Sequence, residues 1–158
     1  MDKKILYVCT YWGVRSQIAE LLTRALKTPG IIADSAGFET GVIGALPIQV
    51  MRERGLDLPA EAPPTLFHYA RQADSYDYIV TLCNQQTQEN YQVLYGIVGQ
   101  LFRGETQVVN WNVPDFMLVA KLAPEERMAK ATQIVDDIES QVIEFVRRIS
   151  SPRNALAS

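Results

Sequence analysis

The chain has few of the residues that build metal centres or covalent cross-links. Its 158 residues include two cysteines and one histidine, which are too few ligands for a typical structural zinc site. Disulfide frameworks need more cysteine than this and form in oxidising compartments. We therefore expect a protein of the reducing cytoplasm that binds no metal.

The sequence also lacks a long apolar run and an excess of positive charge. No apolar stretch approaches the ~20 residues that a membrane-spanning helix needs, and the Met-Asp-Lys-Lys start leads into a strand pattern rather than a signal peptide. The net charge of -3 provides no electrostatic attraction to nucleic acid or to an anionic membrane. We expect neither as a partner.

What is present is the composition of an ordinary globular domain. Hydrophobic residues make up 47% and charged residues 21% of the chain, values typical of proteins that bury their own core. No internal repeat is visible. The simplest interpretation is one domain over residues 1–150, followed by a disordered tail over residues 151–158.

Short apolar runs alternate with helical stripes along the sequence. Unbroken runs predict buried strands over residues 5–8, 31–37, 78–83 and 106–110. Apolar residues at helical spacing predict helices over residues 18–26, 46–54 and 65–73, one within 84–104, and a long one from Pro124. Such alternation implies right-handed crossovers, and so a three-layer α/β/α fold with a four-stranded parallel sheet.

The turn from the first strand into the first helix carries a thiol at one end and a guanidinium at the other. Cys9 ends the apolar run, five residues follow, and Arg15-Ser16 precede the helical stripe. Such a loop aims backbone N–H groups and the positive end of the helix dipole at one point, where an anion binds. The Arg15 guanidinium adds a planar fork of donors that suits a tetrahedral oxyanion.

The same surroundings predict a reactive thiol. The pKa of a cysteine beside an arginine and a helix N-terminus falls to roughly 4–7, and the Ser16 hydroxyl can hydrogen-bond the sulfur. We therefore expect Cys9 to be ionised at neutral pH and to act as a nucleophile toward phosphorus. The alternative is a small buried hydrophobic residue at the end of a strand.

The pattern Cys9-x5-Arg15-Ser16 directly after the first strand resembles the low-molecular-weight protein tyrosine phosphatases and their relatives, the thioredoxin-coupled arsenate reductases. Further parts of the pattern extend over nearly the whole chain: Ser35-Ala36-Gly37, residues 53–57 and Trp111-x-x-Pro114-Asp115. The resemblance implies the phosphotyrosine phosphatase I-like fold, catalytic roles for Cys9 and Arg15, and no cofactor. It also implies an oxyanion-binding loop made of Thr10, Tyr11, Trp12, Gly13, Val14, Arg15 and Ser16.

Hydrolysis of a phosphate ester also needs a proton donor for the leaving oxygen. An acid placed over that oxygen speeds the reaction by roughly 10²–10⁴, and a residue that follows a parallel strand faces the same crevice as the first loop. Asp115 follows the predicted fourth strand, and the resemblance assigns it the role of general acid. Family members usually continue Asp-Pro, whereas here Phe116 follows Asp115.

Cys83 ends the predicted third strand, where the arsenate reductases of this superfamily have their second redox cysteine. Those reductases need a third cysteine seven residues further on, and Asn90 stands at that place. Cys83 is therefore either a redox partner of Cys9 or a buried cysteine at the end of a strand.

The middle of the oxyanion loop departs from the family pattern. Tyr11 and Trp12 occupy the places of a Gly-Asn pair. Bulky residues resist positive φ, so we expect Gly13 to supply the turn. The two aromatic side chains can flank the mouth of the site and stack on an aryl phosphate, or fill it and block turnover, and Trp12 can instead pack inward as core.

Three functions follow from these observations. The first is hydrolysis of phosphate monoesters, such as phosphotyrosine proteins or small aryl phosphates, through a phosphocysteine at Cys9. The second is reduction of arsenate by Cys9 and Cys83 with an external thiol. The third is an inactive module that binds oxyanions or phosphoproteins. All residues needed for hydrolysis are present, whereas the reductase pattern lacks its third cysteine, so we rank the functions in that order.

Overall fold

The fold is built on one parallel sheet. The structure, a computed structural model, describes residues 2–10, 13–39, 41–71, 76–84, 91–102 and 104–151. Four strands lie in the order β2-β1-β3-β4, all parallel. Their bounds are Lys3–Val8 for β1, Ile31–Ala36 for β2, Tyr78–Thr81 for β3 and Gln107–Asn110 for β4. The four-stranded parallel sheet predicted from the sequence is thereby confirmed.

In the part of the chain that the structure describes, five α-helices connect and cover the strands. They are α1 (Val14–Ala25), α2 (Ala45–Glu53), α3 (Leu66–Arg71), α4 (Tyr91–Leu101) and α5 (Pro124–Ser150). A 3-10 helix over Phe116–Lys121 follows β4 and was not predicted. Within the ranges given above, no helix is long and apolar enough to cross a membrane.

The sheet separates two buried clusters, because successive side chains of a strand point to opposite faces. Ile5, Tyr7 and Cys9 join a large cluster on one face, which is covered by α1, α2 and α5. Leu6 and Val8 join a smaller cluster on the other face, which is covered by α3 and α4. The three-layer α/β/α architecture is confirmed.

The long last helix shows why the sequence pattern was informative. It begins at Pro124 as predicted, with proline in the first turn and Glu125 and Glu126 at the positive end of the helix dipole. The residues of its apolar stripe are buried against the sheet: Ala131, Ile134, Val135, Ile138, Val142, Phe145, Val146 and Ile149.

Element ends differ from the predictions by a few residues. β1 starts two residues before the apolar run, and β3 ends at Thr81, two residues before Cys83. Helix α3 ends at Arg71, and the end predicted for it at Ala73 lies outside the described residues. The tail predicted over residues 151–158 also lies outside them, apart from Ser151.

Candidate active site

The candidate nucleophile lies where β1 ends, at the edge of the sheet where all four parallel strands end. Cys9 is only 1% exposed, and its backbone N–H donates to the carbonyl of Ala36 at the end of the neighbouring strand, 3.3 Å away. The backbone of Cys9 is therefore fastened to the end of β2. Cys9 is a thiol in the structure, as is Cys83.

The loop after Cys9 turns into α1 through a glycine. Gly13 has φ +78° and ψ +27°, a left-handed conformation that residues with a side chain rarely adopt. The space is also closed, since a Cβ on Gly13 would lie 2.7 Å from Cγ of Pro63. The expectation that Gly13 supplies the turn is confirmed. Tyr11 and Trp12 lie outside the described residues, so the alternatives for these aromatics stay predictions.

Ser16, in the first turn of α1, is the residue that contacts the Cys9 sulfur. Its backbone N–H donates to Sγ at 3.4 Å, and its hydroxyl lies 3.4 Å from Sγ as well. The same hydroxyl is 3.0 Å from the carbonyl oxygens of Gly13 and Ala36. Ser16 thus contacts the Cys9 sulfur, the Gly13 carbonyl of the loop and the Ala36 carbonyl at the end of β2. These contacts place it beside the nucleophile of the predicted oxyanion loop.

Arg15 joins the two ends of the site. Its side chain is only 2% exposed. Nη1 donates to the carbonyl of Val113 at 2.7 Å, and Nη2 donates to the Thr10 hydroxyl at 3.0 Å. Nη2 also forms an ion pair with Oδ2 of Asp115 at 3.4 Å, across 100 positions of sequence. The predicted nucleophile loop and the predicted acid loop therefore meet at this guanidinium.

Asp115 is held by both of its carboxylate oxygens. Oδ2 faces Arg15, while Oδ1 accepts from the backbone N–H of Met117 at 2.9 Å. The second bond makes Asp115 the N-cap of the 3-10 helix Phe116–Lys121. A side-chain cap thus orders the chain after Asp115, although the proline usual in the family is replaced by Phe116.

The ionisation expected for Cys9 is wrong for this structure. Burial raises the pKa of the Cys9 thiol, because a thiolate loses its hydration there. The positive charge of Arg15 and the two Ser16 contacts act in the opposite direction, and the negative charge of Asp115 adds to the rise. Sequence spacing showed the arginine and the helix N-terminus but not the burial, which is the largest influence.

Cys83 lies on the opposite face of the sheet from Cys9. Its side chain is fully buried and belongs to the cluster under α3 and α4, whereas Cys9 belongs to the cluster under α1, α2 and α5. The Asn110 side chain holds the backbone of Cys83 at two points, accepting from its N–H at 3.3 Å and donating to its carbonyl at 3.1 Å. The redox role considered for Cys83 thus needs a rearrangement of this strand end.

Three contributors to the site were missed by sequence reasoning. Val113 contributes only its carbonyl, and Pro63 only its ring, so neither carries a recognisable chemical signal. Asn110 is the last residue of β4 and resembles any other polar residue at the end of a strand. Among the described residues, no group of three or more His, Cys, Asp or Glu side chains is placed to hold a metal ion.

A parallel sheet that brings a buried thiol, a guanidinium and a carboxyl group together at one edge defines an α/β protein with a cysteine-centred oxyanion loop. The chain belongs to the low molecular weight phosphotyrosine protein phosphatase family, whose family model matches residues 4–154. The suspected superfamily is thereby confirmed.

One curated relative is the glutaredoxin arsenate reductase of Synechocystis sp., which is 31% identical to this chain over 81 residues. The match covers 51% of this chain and 60% of that relative. The chain is thus matched over little more than half of the relative's length. Similarity of this extent leaves the activity of this protein to be inferred from its own site.

Solved structures of both kinds of enzyme share the fold. An arsenate reductase in the phosphate binding state has a TM-score of 0.66 at 22% identity, covering 93% of this chain and 98% of that one. A mutant of YwlE from Bacillus subtilis has a TM-score of 0.70 at 15% identity, covering 95% and 100%. The low molecular weight protein tyrosine phosphatase from T. tengcongensis has 0.67 at 15%, covering 93% and 99%. At these identities the likeness establishes the fold alone.

Proposed function

We propose that this protein hydrolyses phosphate monoesters through a phosphocysteine at Cys9, with phosphotyrosine proteins or small aryl phosphates as substrates. The observation that carries the proposal is the ion pair between Arg15 and Asp115, 3.4 Å apart. It brings a carboxyl group from the loop after β4 to the loop that holds the thiol. A nucleophile, an anion-binding guanidinium and an acid at one sheet edge are the groups that this hydrolysis needs.

In the first step, the Cys9 sulfur attacks phosphorus and the bond from phosphorus to the ester oxygen breaks. The thiol proton must leave before or during substrate binding, because only the thiolate is a good nucleophile. It passes to the Asp115 carboxylate, which is ion-paired with Arg15 in the resting protein. Arg15 and the Ser16 contacts favour that loss. Asp115 gives a proton to the departing oxygen, so that an alcohol or phenol leaves rather than its anion.

In the second step, water attacks the phosphocysteine. Asp115, now a carboxylate, accepts a proton from the water, and the sulfur–phosphorus bond breaks to release inorganic phosphate and the Cys9 thiolate. Neither step as written uses a metal ion. Arg15 holds the phosphoryl oxygens throughout, which stabilises the charge that they carry in both transition states.

Substrate binding must change the contacts of Arg15. Its Nη2 is shared between Thr10 and Asp115, and Nη1 is bonded to the Val113 carbonyl. A phosphate oxygen that takes the place of Oδ2 at Nη2 would release the Asp115 carboxyl toward the leaving group. The acid is then freed by the same event that fills the oxyanion loop.

Turnover of p-nitrophenyl phosphate by single variants tests this function. Cys9→Ser should abolish hydrolysis, and Asp115→Asn should lower kcat by roughly 10²–10⁴ for this substrate. Asp57→Asn, which removes an exposed carboxylate elsewhere, is the matched control and should leave kcat unchanged. Full activity in Cys9→Ser, or no loss in Asp115→Asn, would contradict the proposal.

Reduction of arsenate is the second candidate, and two observations favour it. The Synechocystis relative is named a glutaredoxin arsenate reductase, and Cys83 stands near the end of β3. In this reaction the Cys9 sulfur bonds to arsenic(V) as one arsenic–oxygen bond breaks and the oxygen leaves as water, and the Cys83 sulfur then attacks the Cys9 sulfur. Arsenite leaves with the electron pair, and an external thiol reduces the resulting disulfide.

The position of Cys83 ranks this reaction second. The two sulfurs lie in clusters on opposite faces of the sheet, so the disulfide cannot form without movement of the strand end. The diagnostic variant is Cys83→Ser. If the protein is a reductase, this change abolishes arsenate-dependent thiol consumption; if it is a phosphatase, hydrolysis is unaffected. Binding of phosphate with neither activity would leave the inactive oxyanion-binding module. For both enzymatic reactions, a reducing cytoplasm is the location we propose.

A further inference from the structure

The oxyanion loop touches a segment of the chain that has no part in the proposed chemistry. A Cβ on Gly13 would lie 2.7 Å from Cγ and 3.0 Å from Cδ of Pro63. The proline ring therefore fills the space beside the glycine that turns the loop into α1. Pro63 is buried, although the loop to which it belongs lies at the surface.

The segment that carries Pro63 is itself fastened to the chain that follows β2. The backbone N–H of Ile43 donates to the carbonyl of Ala60 at 2.7 Å, and that of Ala62 donates to Gly41 at 3.1 Å. Beyond Pro63, the N–H of Leu66 donates to the carbonyl of Gly37 at 2.9 Å. Hydrogen bonds before and after Pro63 in the chain, together with its rigid ring, hold this segment in place beside Gly13.

Gly13, which this segment contacts, is connected to the Cys9 sulfur through Ser16. The Gly13 carbonyl accepts from the hydroxyl of Ser16 and from the N–H of Gln17, both at 3.0 Å. Ser16 in turn places its N–H and its hydroxyl 3.4 Å from Sγ of Cys9. The orientation of the Gly13 peptide is therefore coupled to the position of Ser16 beside the sulfur.

We propose that Pro63 is a positioning residue of the oxyanion loop: it packs on Gly13, holds the left-handed turn there, and so aims Ser16 at Cys9. The inference rests on the proposed function in that Cys9 is taken as the reacting group. It does not depend on whether the substrate is a phosphate ester or arsenate, since both reactions need the same loop. Pro63 touches neither reactant and acts through Gly13.

The test measures alkylation of Cys9 by iodoacetamide across a pH series, with and without inorganic phosphate, and identifies the labelled residue by peptide mass spectrometry. In Pro63→Ala, the Ser16 contacts to the sulfur are loosened. The midpoint of the pH profile should then move upward by about 0.7 unit, which corresponds to one ordinary hydrogen bond. Protection by phosphate should weaken about fivefold for the same reason.

Pro59→Ala is the matched control, because Pro59 lies in the same loop and is exposed. It should reproduce the wild-type profile and the wild-type protection. A Pro63→Ala profile that superimposes on both would overturn the proposal. If Pro63→Ala does not fold, as judged by circular dichroism, Pro63→Val carries the test, since it keeps apolar bulk against Gly13. Wild-type protection is then expected, and a fivefold or greater loss would overturn the proposal.

A double-mutant cycle isolates the contact itself. In the wild-type background, Gly13→Ala should cause a large loss of phosphate protection, because the new methyl group meets the Pro63 ring. In the Pro63→Ala background the methyl group no longer meets the ring, and the strain of positive φ and the 3.2 Å approach to Oγ of Ser16 remain. Equal losses of phosphate protection in the two backgrounds would overturn the proposal. If phosphate protects not even the wild type, the proposed function fails, while the pH profiles still decide the role of Pro63.

Discussion

At the scale of single residues, opposing influences act on the pKa of the Cys9 thiol. Burial raises this pKa, while Arg15 and the two contacts from Ser16 lower it. Burial in the resting protein thus favours the neutral thiol, because a thiolate loses its hydration there. The proposed hydrolysis must therefore include ionisation of Cys9 as a step.

Two substitutions should move the Cys9 pKa in opposite directions. Ser16→Ala removes a hydroxyl contact that lowers the pKa, so we expect a further rise. Asp115→Asn removes a negative charge that raises the pKa, so we expect a smaller fall. Ultraviolet absorbance of the thiolate during an alkaline titration measures both, with Cys9→Ala as the blank. Shifts of the same sign in the two variants would contradict this account.

The same thiol links stability to pH. Its pKa is higher in the folded than in the unfolded chain, so the folded state favours the protonated form. The contribution to stability is present in full below the unfolded-state pKa and is lost as the pH rises through the folded-state pKa.

At the scale of elements, the ends of β3 and β4 are joined by one side chain. Oδ1 of Asn110 accepts from the Thr81 hydroxyl at 2.8 Å and from the N–H of Cys83 at 3.3 Å, while Nδ2 donates to the Cys83 carbonyl at 3.1 Å. A carboxamide suits this place because it offers a donor and an acceptor together. The bonds hold Cys83 within the cluster under α3 and α4.

Asn110→Ala should therefore release the end of β3. It removes two hydrogen bonds to the Cys83 backbone, each of which contributes about 1 kcal/mol, so opening of this segment should become roughly tenfold or more easier. Treatment with diamide, followed by mass spectrometry, should show faster formation of a Cys9–Cys83 disulfide than in the wild type. The exposed Gln107→Ala, also on β4, is the control. Equal rates in all three proteins would show that Asn110 does not restrain Cys83.

At the scale of the whole molecule, the sheet and α5 provide the frame on which both loops of the site depend. The larger cluster contains Cys9, Trp111 and Val113 together with the buried stripe of α5. The helix α1 that carries Arg15 and the loop that carries Asp115 are thus anchored in one core. Loss of packing under α5 should affect both.

Two isoleucines test whether α5 buries one face in the larger cluster and exposes the other. Ile138 is fully buried and Ile143 is 47% exposed. Ile138→Ala should lower the free energy of unfolding by about 2–5 kcal/mol, because it leaves a cavity in the larger cluster. Ile143→Ala should change it by no more than about 0.5 kcal/mol. Urea unfolding measures both, and similar losses would mean that the helix is not seated as described.

Much of the fold was readable from the sequence because its signals are periodic. The stripe of α5 repeats at helical spacing over 27 residues, and the apolar runs of β1 and β3 mark the central strands, which are buried on both faces. The 3-10 helix after Asp115 was missed, because the contacts that hold it, the Asp115 cap and the bonds from the Arg127 side chain, follow no repeating pattern.

The sequence by itself determined the order of the elements, the parallel sheet and the placing of Cys9 and Arg15 at the end of the first strand, since hydrophobic periodicity and the Cys-x5-Arg spacing are properties of neighbours along the chain. Only the tertiary structure decided the burial that raises the pKa of Cys9, the separation of Cys83 from it and the contact between Pro63 and Gly13. Burial and contact depend on segments far apart in sequence, which no local pattern specifies.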